Sequence, residues 1–128
     1  MVMANTFKAY TKSSVGTSTA TAYEVELGGA SGKTAIVIGI SLSNVASTPI
    51  NVSVQIDRPA AGTTAAPSDD VYLAKNIPIP SGSTLEIMAG QKLILEYNGS
   101  ASAGDKIVVT SDTASSLDVI VNALEITS

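Results

Sequence analysis

The 128-residue chain contains no cysteine and no histidine, and these two absences exclude many kinds of site. Without cysteine there is no disulfide, no thiolate metal ligand and no thiol nucleophile. Without histidine the chain lacks the commonest metal ligand and the usual general base near neutral pH. We therefore expect a protein that is not an enzyme and that has no catalytic, metal or cofactor site.

Positive charge and aromatic side chains are also scarce. The chain has four tyrosines, one phenylalanine and no tryptophan, and its net charge is −4. Nucleic-acid binders normally present a basic stripe, and single-strand binders stack bases on aromatic rings. No apolar run approaches the ~18 residues of a membrane-spanning helix, and residues 1–5 do not resemble a secretory signal. The sequence predicts no nucleic-acid partner, no membrane partner and synthesis in the cytoplasm.

Charged residues make up only 14% of the chain, against about a quarter in typical soluble domains. The surface must then consist mainly of Ser, Thr, Ala, Gly and Asn. Such a surface suits close packing in a crowded assembly better than long-range electrostatic steering. The composition favours a structural protein that assembles with its own copies or with a larger particle, and an ordinary low-charge soluble domain is the alternative.

Apolar and polar residues alternate with period two, the pattern of strands with one buried face. Ile36 to Leu42 shows this alternation, and it returns from Ile50 to Ile56 after a short polar connection. Two matched runs joined in this way predict an antiparallel hairpin. We expect the apolar members of both runs to face the core.

Further short strands follow, separated by glycine-bearing turns, and no segment shows the period of a helix. Val71 to Ile79 contains Pro78, which cannot donate to a ladder, so this run is predicted as an edge strand or a sheet-crossing segment. The fold class is all-β: a two-sheet antiparallel sandwich of about eight strands, with a ninth if Thr6 to Val15 also pairs. A jelly-roll-like arrangement is favoured over an immunoglobulin-like one, because the cysteine pair and core tryptophan are absent.

Two polar stretches do not fit the strand pattern. Residues 1–21 are predicted as an extended N-terminal arm or first strand, and residues 22–128 as a single sandwich domain. Residues 58–70 form a long loop, and loops of this length inside a compact domain are usually functional or disordered. We expect both stretches to contact a partner, with packing against their own domain as the alternative.

Two motifs could suggest chemistry, and neither is complete. Asp69-Asp70 could help to bind Ca²⁺, but the surrounding loop lacks the patterned oxygen ligands that such a site needs. The segment from Gly28 to Thr34 ends like a phosphate-binding loop, but Leu27 stands where the motif requires glycine. It also precedes a strand rather than a helix, so a glycine turn is predicted.

The last predicted strand, Leu117 to Ile126, is apolar on both faces between residues 119 and 124. A strand of this kind is covered on both sides, either within the sandwich or by a neighbouring subunit. A register irregularity would give the same pattern. The candidate partner contacts are therefore taken from this strand, the N-terminal stretch and the long loop: Phe7, Tyr10, Arg58, Val119 and Val121.

Four segments together resemble a known group of proteins: ANTFKAYT at 4–11, TAIVIGISLSN at 34–44, IPIPSGS at 77–83 and DVIV at 118–121. They resemble small virion structural proteins of tailed bacteriophages. The resemblance spans nearly the whole chain and rests on strand sequences rather than on chemical signatures. It implies a jelly-roll-like body on the mature particle, in some cases with an N-terminal arm, and no catalytic residues.

The leading functional hypothesis is a capsid decoration, or cement, protein that stabilises the phage head by binding the major capsid protein. It predicts self-association, with a trimer as the expected oligomer, and localisation to the virion after synthesis in the host cytoplasm. The first alternative is an accessory structural protein of the neck, collar or tail. The second is a carbohydrate-binding sandwich, for which Tyr10, Tyr72 and Tyr97 would have to provide the sugar platform.

Overall fold

The computed structural model describes residues 4–25, 33–57, 70–88, 92–97 and 104–127. These residues form nine β-strands and no helix, so the predicted all-β class is confirmed. The strands are β1 (Ala4–Val15), β2 (Ala20–Glu24), β3 (Lys33–Asn44), β4 (Ile50–Asp57), β5 (Val71–Ile79), β6 (Thr84–Glu86), β7 (Leu93–Tyr97), β8 (Lys106–Ser111) and β9 (Leu117–Thr127).

The nine strands form two antiparallel sheets. Sheet 1 has the order β1-β9-β3-β6, with β7 pairing with the other end of β3, and sheet 2 has the order β2-β8-β4-β5. The pairs are nested along the chain: β1 with β9, β2 with β8, β3 with β6 and β7, and β4 with β5. A chain folded back on itself in this nested way and wound across two sheets is a jelly roll. The predicted sandwich is thus confirmed, and β5 lies at a sheet edge as Pro78 indicated.

Period-two alternation builds the core between the sheets. Along β4 the residues alternate between buried and partly exposed positions from Ile50 to Asp57. The largest fully buried side chains include Tyr23, Ile40 and Leu42, with no more than about 2% of their surface exposed. Each Val, Leu or Ile buried in this way stabilises the fold by about 1.5–3 kcal/mol relative to exposure.

The predicted hairpin of Ile36 to Leu42 with Ile50 to Ile56 is wrong. These runs are β3 and β4, which belong to different sheets and do not pair with each other. Alternation identifies which side chains point inward, but it carries no information about which strand lies alongside. The two runs face each other across the core, so both show the pattern that two paired strands of one sheet would show.

The connection from β3 to β4 turns between the sheets around the buried side chain of Asn44. Its Nδ2 donates to the carbonyl oxygens of Thr48 and Ile79, each at 2.9 Å, and its Oδ1 accepts from the backbone N–H of Ala46 at 2.8 Å. One amide therefore satisfies three backbone groups that the crossing would otherwise leave unpaired. This corner allows a short connection to change sheets.

The N-terminal stretch forms β1, which brings the number of strands among the described residues to nine. Residues Ala4 to Lys12 pair continuously with β9, and a register irregularity follows before Val15, which is buried. Strand β1 lies at the outer edge of sheet 1, and most of its side chains are exposed. The segment predicted as an arm or first strand is therefore part of the sandwich over the residues that the structure describes.

Candidate assembly surface

The outer face of sheet 2 is polar and internally hydrogen-bonded. Ser53 on β4 accepts from the backbone N–H of Asn76 at 3.0 Å, and Asn51 donates through its amide to Asp112 at 3.2 Å. Tyr72 is the large exposed aromatic on this side, and the ammonium group of Lys75 lies 4.9 Å from its ring centre. This face resembles the solvated side of an ordinary antiparallel sheet.

The outer face of sheet 1 is different, because four large apolar side chains cross it in one row. Phe7 pairs with Leu124, Leu124 pairs with Ile36, and Ile36 pairs with Ile94. Directly paired residues share a face, so these side chains lie next to one another. Phe7 is 74% exposed and Ile94 58% exposed, while the two residues between them are half-buried. We call this set the apolar row.

Two further rows add apolar surface. Ile126 of β9 points outward in the row beside the apolar row, Ile120 points outward on the other side beyond the row of Asn122, and Ile38 projects from a register irregularity in β3. Single exposed apolar residues are normal on a monomer, whereas a contiguous patch marks an interaction site. Sheet 1 thus has the two-sided apolar character of a covered sheet.

A groove lies beside the apolar row. The next row of paired residues contains small or short side chains, namely Ala9, Asn122 and Gly39. A Cβ built on Gly39 would lie 3.6 Å from Nδ2 of Asn122, which shows that this position also opens onto the outer face. The depression holds about 340 Å³ and is lined by Phe7, Lys8, Ala9, Ile38, Asn122 and Ala123. We call Ala9, Asn122 and Gly39 the groove row.

On the inner side, sheet 1 carries one buried carboxylate that connects four strands. Glu125 of β9 accepts hydrogen bonds from the hydroxyl groups of Tyr23 at 2.6 Å and Tyr10 at 3.0 Å. The ammonium groups of Lys8 and Lys33 lie 3.3 and 3.5 Å from its other oxygen. The rings of Tyr10 and Tyr23 also touch, with their centres 4.7 Å apart. This cluster fixes β1 to the sandwich.

Two opposing effects set the pKa of Glu125. Burial disfavours the charged carboxylate, but the hydrogen bonds from Tyr23, Tyr10 and Lys8 and the charge of Lys33 outweigh it, so the pKa is lowered. The same hydrogen bond and ion pair raise the pKa of Lys8. Both shifts favour the charged forms of Glu125 and Lys8, and the hydrogen bonds and ion pairs offset the cost of burying the carboxylate.

The five predicted contact residues do not lie together on one surface. Phe7 lies on the exposed outer face, whereas the ring of Tyr10 packs against Tyr23 inside the sandwich. Val119 and Val121 are 1% and 0% exposed, so they belong to the core and are not surface contacts. Arg58 lies outside the described residues.

The predicted contacts of β9, Val119 and Val121, point into the core, whereas Ile120 and Leu124 point outward. Both faces are apolar, but Asp118 and Asn122 alternate with the outward residues Ile120 and Leu124. This polar pair was the available signal for the solvent side. The buried Glu125, on the opposite face, had no comparable signal, because an isolated glutamate in a strand normally indicates exposure.

Other kinds of site find no support among the described residues. No group of three or more Asp or Glu side chains in this part of the chain could hold a metal ion. Nor does the described part contain a helix long and apolar enough to span a membrane. The ring of Tyr10 packs against Tyr23, whereas Tyr72 is 52% exposed, with the ammonium group of Lys75 lying 4.9 Å from its ring centre.

Comparison with known proteins shows solved structures of similar fold but assigns the chain to no family. No protein-family model and no curated protein matches the chain. Among solved structures, it is similar to a chain of the T13 particle of infectious bursal disease virus, with a TM-score of 0.54 and 10% sequence identity over 96% of this chain. The match spans only 31% of the viral chain. At this identity the likeness shows the fold alone.

Two other similar structures have lower scores. A chain of the T=1 particles derived from the same virus has a TM-score of 0.49 at 8% identity, covering 98% of this chain and 35% of its own length. A chain of Bacillus endospore appendages, described as disulfide-linked pili, has a TM-score of 0.40 at 10% identity and covers 96% and 86% of the two chains. The structural neighbours are thus chains of virus particles and of a spore appendage.

Proposed function

We propose that this chain is a structural protein of a virus particle, and specifically a capsid decoration protein of a tailed bacteriophage. It works without catalysis, by placing the outer face of sheet 1 against a protein partner. The contrast between this apolar face and the polar outer face of sheet 2 is the observation that carries the proposal. A jelly roll that remained a free monomer would gain nothing from an apolar row on its surface.

Two independent observations support the virus-particle setting. The fold is similar to that of a chain in an icosahedral virus particle, and the chain resembles small virion proteins in several strand sequences. The low charge content also agrees with a protein packed among neighbours. Its proposed partners are the major capsid protein and other copies of this chain.

Stabilisation of a shell would arise from many modest contacts. Each copy offers one apolar face of moderate size, and hundreds of copies on a closed shell would act together, because binding one neighbour raises the effective concentration of the next. This arrangement needs no cofactor and no conformational change within the jelly roll.

A neck, collar or tail position would use the same surface with fewer copies. The copy number per particle therefore distinguishes the two positions. Hundreds of copies indicate shell decoration, and about a dozen or fewer indicate a neck or tail ring. We expect quantitative mass spectrometry of purified particles to give the higher number.

Rebinding to particles that lack this protein tests the proposed function. We expect the unmodified chain and Tyr72→Ser to bind at stoichiometric levels, and Phe7→Ser to bind at least about tenfold more weakly, since Phe7 is the most exposed member of the apolar row. Equal binding by Phe7→Ser and Tyr72→Ser would remove the outer face of sheet 1 from the interface. Absence of binding by the unmodified chain would contradict the decoration role.

A further inference from the structure

We propose that the outer face of sheet 1 is self-complementary, and that its occupant is the same face of a second copy related by a two-fold axis. The inference rests on the proposed function only in taking this face as the assembly contact. It adds the identity of the partner and the way in which the two surfaces fit.

The fit follows from the position of the groove row beside the apolar row. The two rows are one step of two residues apart along the strands, since Phe7 and Ala9 are successive outward residues of β1. A two-fold axis that lies between the rows, parallel to them and in the plane of contact, exchanges the rows of the two copies. The apolar row of each copy then lies over the groove row of the other.

The same axis places the row of Ile126 in one copy over the row of Ile120 in the other. Ile126 lies on the far side of the apolar row and Ile120 on the far side of the groove row, so Ile126 of one copy faces Ile120 of the other. Phe7 of each copy lies over Ala9 of the other, above the depression of about 340 Å³. Each contact occurs twice, as an isologous interface requires.

The size of the face suits such a pair. Four strand positions about 4.8 Å apart and about eleven residues of about 3.3 Å each give roughly 700 Å². Stable interfaces bury about 600–1,000 Å² on each partner, so the face reaches this range only if nearly all of it is used. The apolar and groove rows form the centre of this face, and polar residues such as Thr11, Thr34 and Ser41 lie around it. An apolar centre with a polar rim is the usual anatomy of an interface.

The charge pattern permits the pair and sets its response to salt. Neither the apolar row nor the groove row contains a charged residue. At the β6 and β7 edge, however, the axis brings Glu96 of one copy towards Glu86 of the other, because Glu96 pairs with Thr34 and Glu86 with Ser41. Glu86 already accepts hydrogen bonds from the N–H groups of Ile40 and Met88. We therefore expect added salt to strengthen the pair, since it screens this repulsion.

Sedimentation velocity of the purified chain over a range of concentrations measures the association. We expect a reversible dimer, weakened at least about tenfold by Phe7→Ser and unchanged by Tyr72→Ser. Ala9→Trp is the discriminating variant: it adds apolar surface but fills the groove, so it should also weaken the dimer at least about tenfold. Tighter association of Ala9→Trp would indicate nonspecific hydrophobic association and would overturn the proposed fit.

Disulfide trapping tests the geometry directly, because the chain has no cysteine of its own. A mixture of Phe7→Cys and Ala9→Cys proteins should form a mixed disulfide at least about tenfold faster than a mixture of Phe7→Cys and Gln55→Cys, which places the second thiol on sheet 2. Equal rates in the two mixtures, a monomer at all concentrations, or a trimer without the mixed disulfide would each overturn the inference.

Failure here is distinguishable from failure of the proposed function. A monomeric chain that rebinds to particles through Phe7 would leave the decoration role in place and assign the face to a different partner. A dimer that forms but does not bind particles would contradict the decoration role and leave the two-fold pair in place.

Discussion

The outer faces of the two sheets differ in polarity, although both sheets bury an apolar inner face in the same core. Strands β4 and β8 of sheet 2 place mostly polar side chains outward, with Val108 as an apolar exception, whereas β3 and β9 of sheet 1 place several isoleucines and Leu124 outward. One apolar face per strand is enough to build the core. Under the proposed function, the second apolar face of sheet 1 serves contacts outside the domain, and the difference between the faces indicates which side meets the partner.

The largest expected effect comes from placing charge in the apolar row. Phe7→Asp combined with Ile94→Asp should weaken assembly by about a thousandfold or more, because each carboxylate would have to be desolvated without a partner. Both positions are exposed in the free chain, so the variant should fold normally. Particle binding and sedimentation check the loss, and circular dichroism checks the fold.

The matched control places the same charges on sheet 2. Thr110→Asp combined with Tyr72→Asp should leave assembly unchanged within about twofold. If both double variants lost assembly equally, the contrast between the two faces would have no functional meaning.

The next effect concerns the buried charge cluster that fixes β1 and its Phe7 to sheet 1. Glu125→Gln should lower the free energy of unfolding at pH 7 by about 1.5–3 kcal/mol, the range for hydrogen bonds to a charged group. Urea unfolding measures the change. Lys12→Gln, on β1 but outside the Glu125 cluster, is the control and should change stability by less than about 0.5 kcal/mol.

The pH dependence of stability gives a second readout of the same cluster. Because the pKa of Glu125 is lowered in the folded state, its contribution is fully present above the unfolded value of about 4.3 and is lost as the pH falls through the folded value. The unmodified chain should therefore lose stability more steeply below about pH 4 than Glu125→Gln. Parallel curves for the two proteins would contradict this role of the carboxylate.

The smallest expected effect on assembly comes from a substitution that distinguishes the two faces of β9. Val121→Ala should destabilise the fold by about 2 kcal/mol, since it leaves a cavity in a fully buried position. Ile120→Ala, one residue away and exposed, should change stability by less than about 0.5 kcal/mol but weaken the dimer severalfold. The pair of thermal unfolding curves and dimer constants checks both statements; comparable destabilisation by the two variants would place Ile120 in the core.

These two faces also show how far the sequence predicts the structure. Alternation predicted the class, most strands and the inward residues of β3 and β4, because it reflects burial directly. It could not predict that β3 and β4 lie in different sheets, since pairing depends on the corner made by Asn44 and on long-range contacts. The nested order of the jelly roll likewise has no local signal.

The candidate surface could be predicted only in part. The two-sided apolar pattern of residues 119–124 indicated a covered strand, and Phe7, predicted as a partner contact, is exposed in the structure. The apolar row needs the register of four strands, which the sequence does not contain. The cluster around Glu125 brings together side chains from β1, β2, β3 and β9, and such a set becomes visible only when the sheets are stacked.

A cryo-electron microscopy map of the assembled particle tests the central claim most directly, because it shows which face of the jelly roll is covered. The account predicts protein density of a neighbour over Phe7, Ile36 and Ile94, with solvent over the outer face of sheet 2. A map in which sheet 2 is covered and the apolar row faces solvent would contradict it.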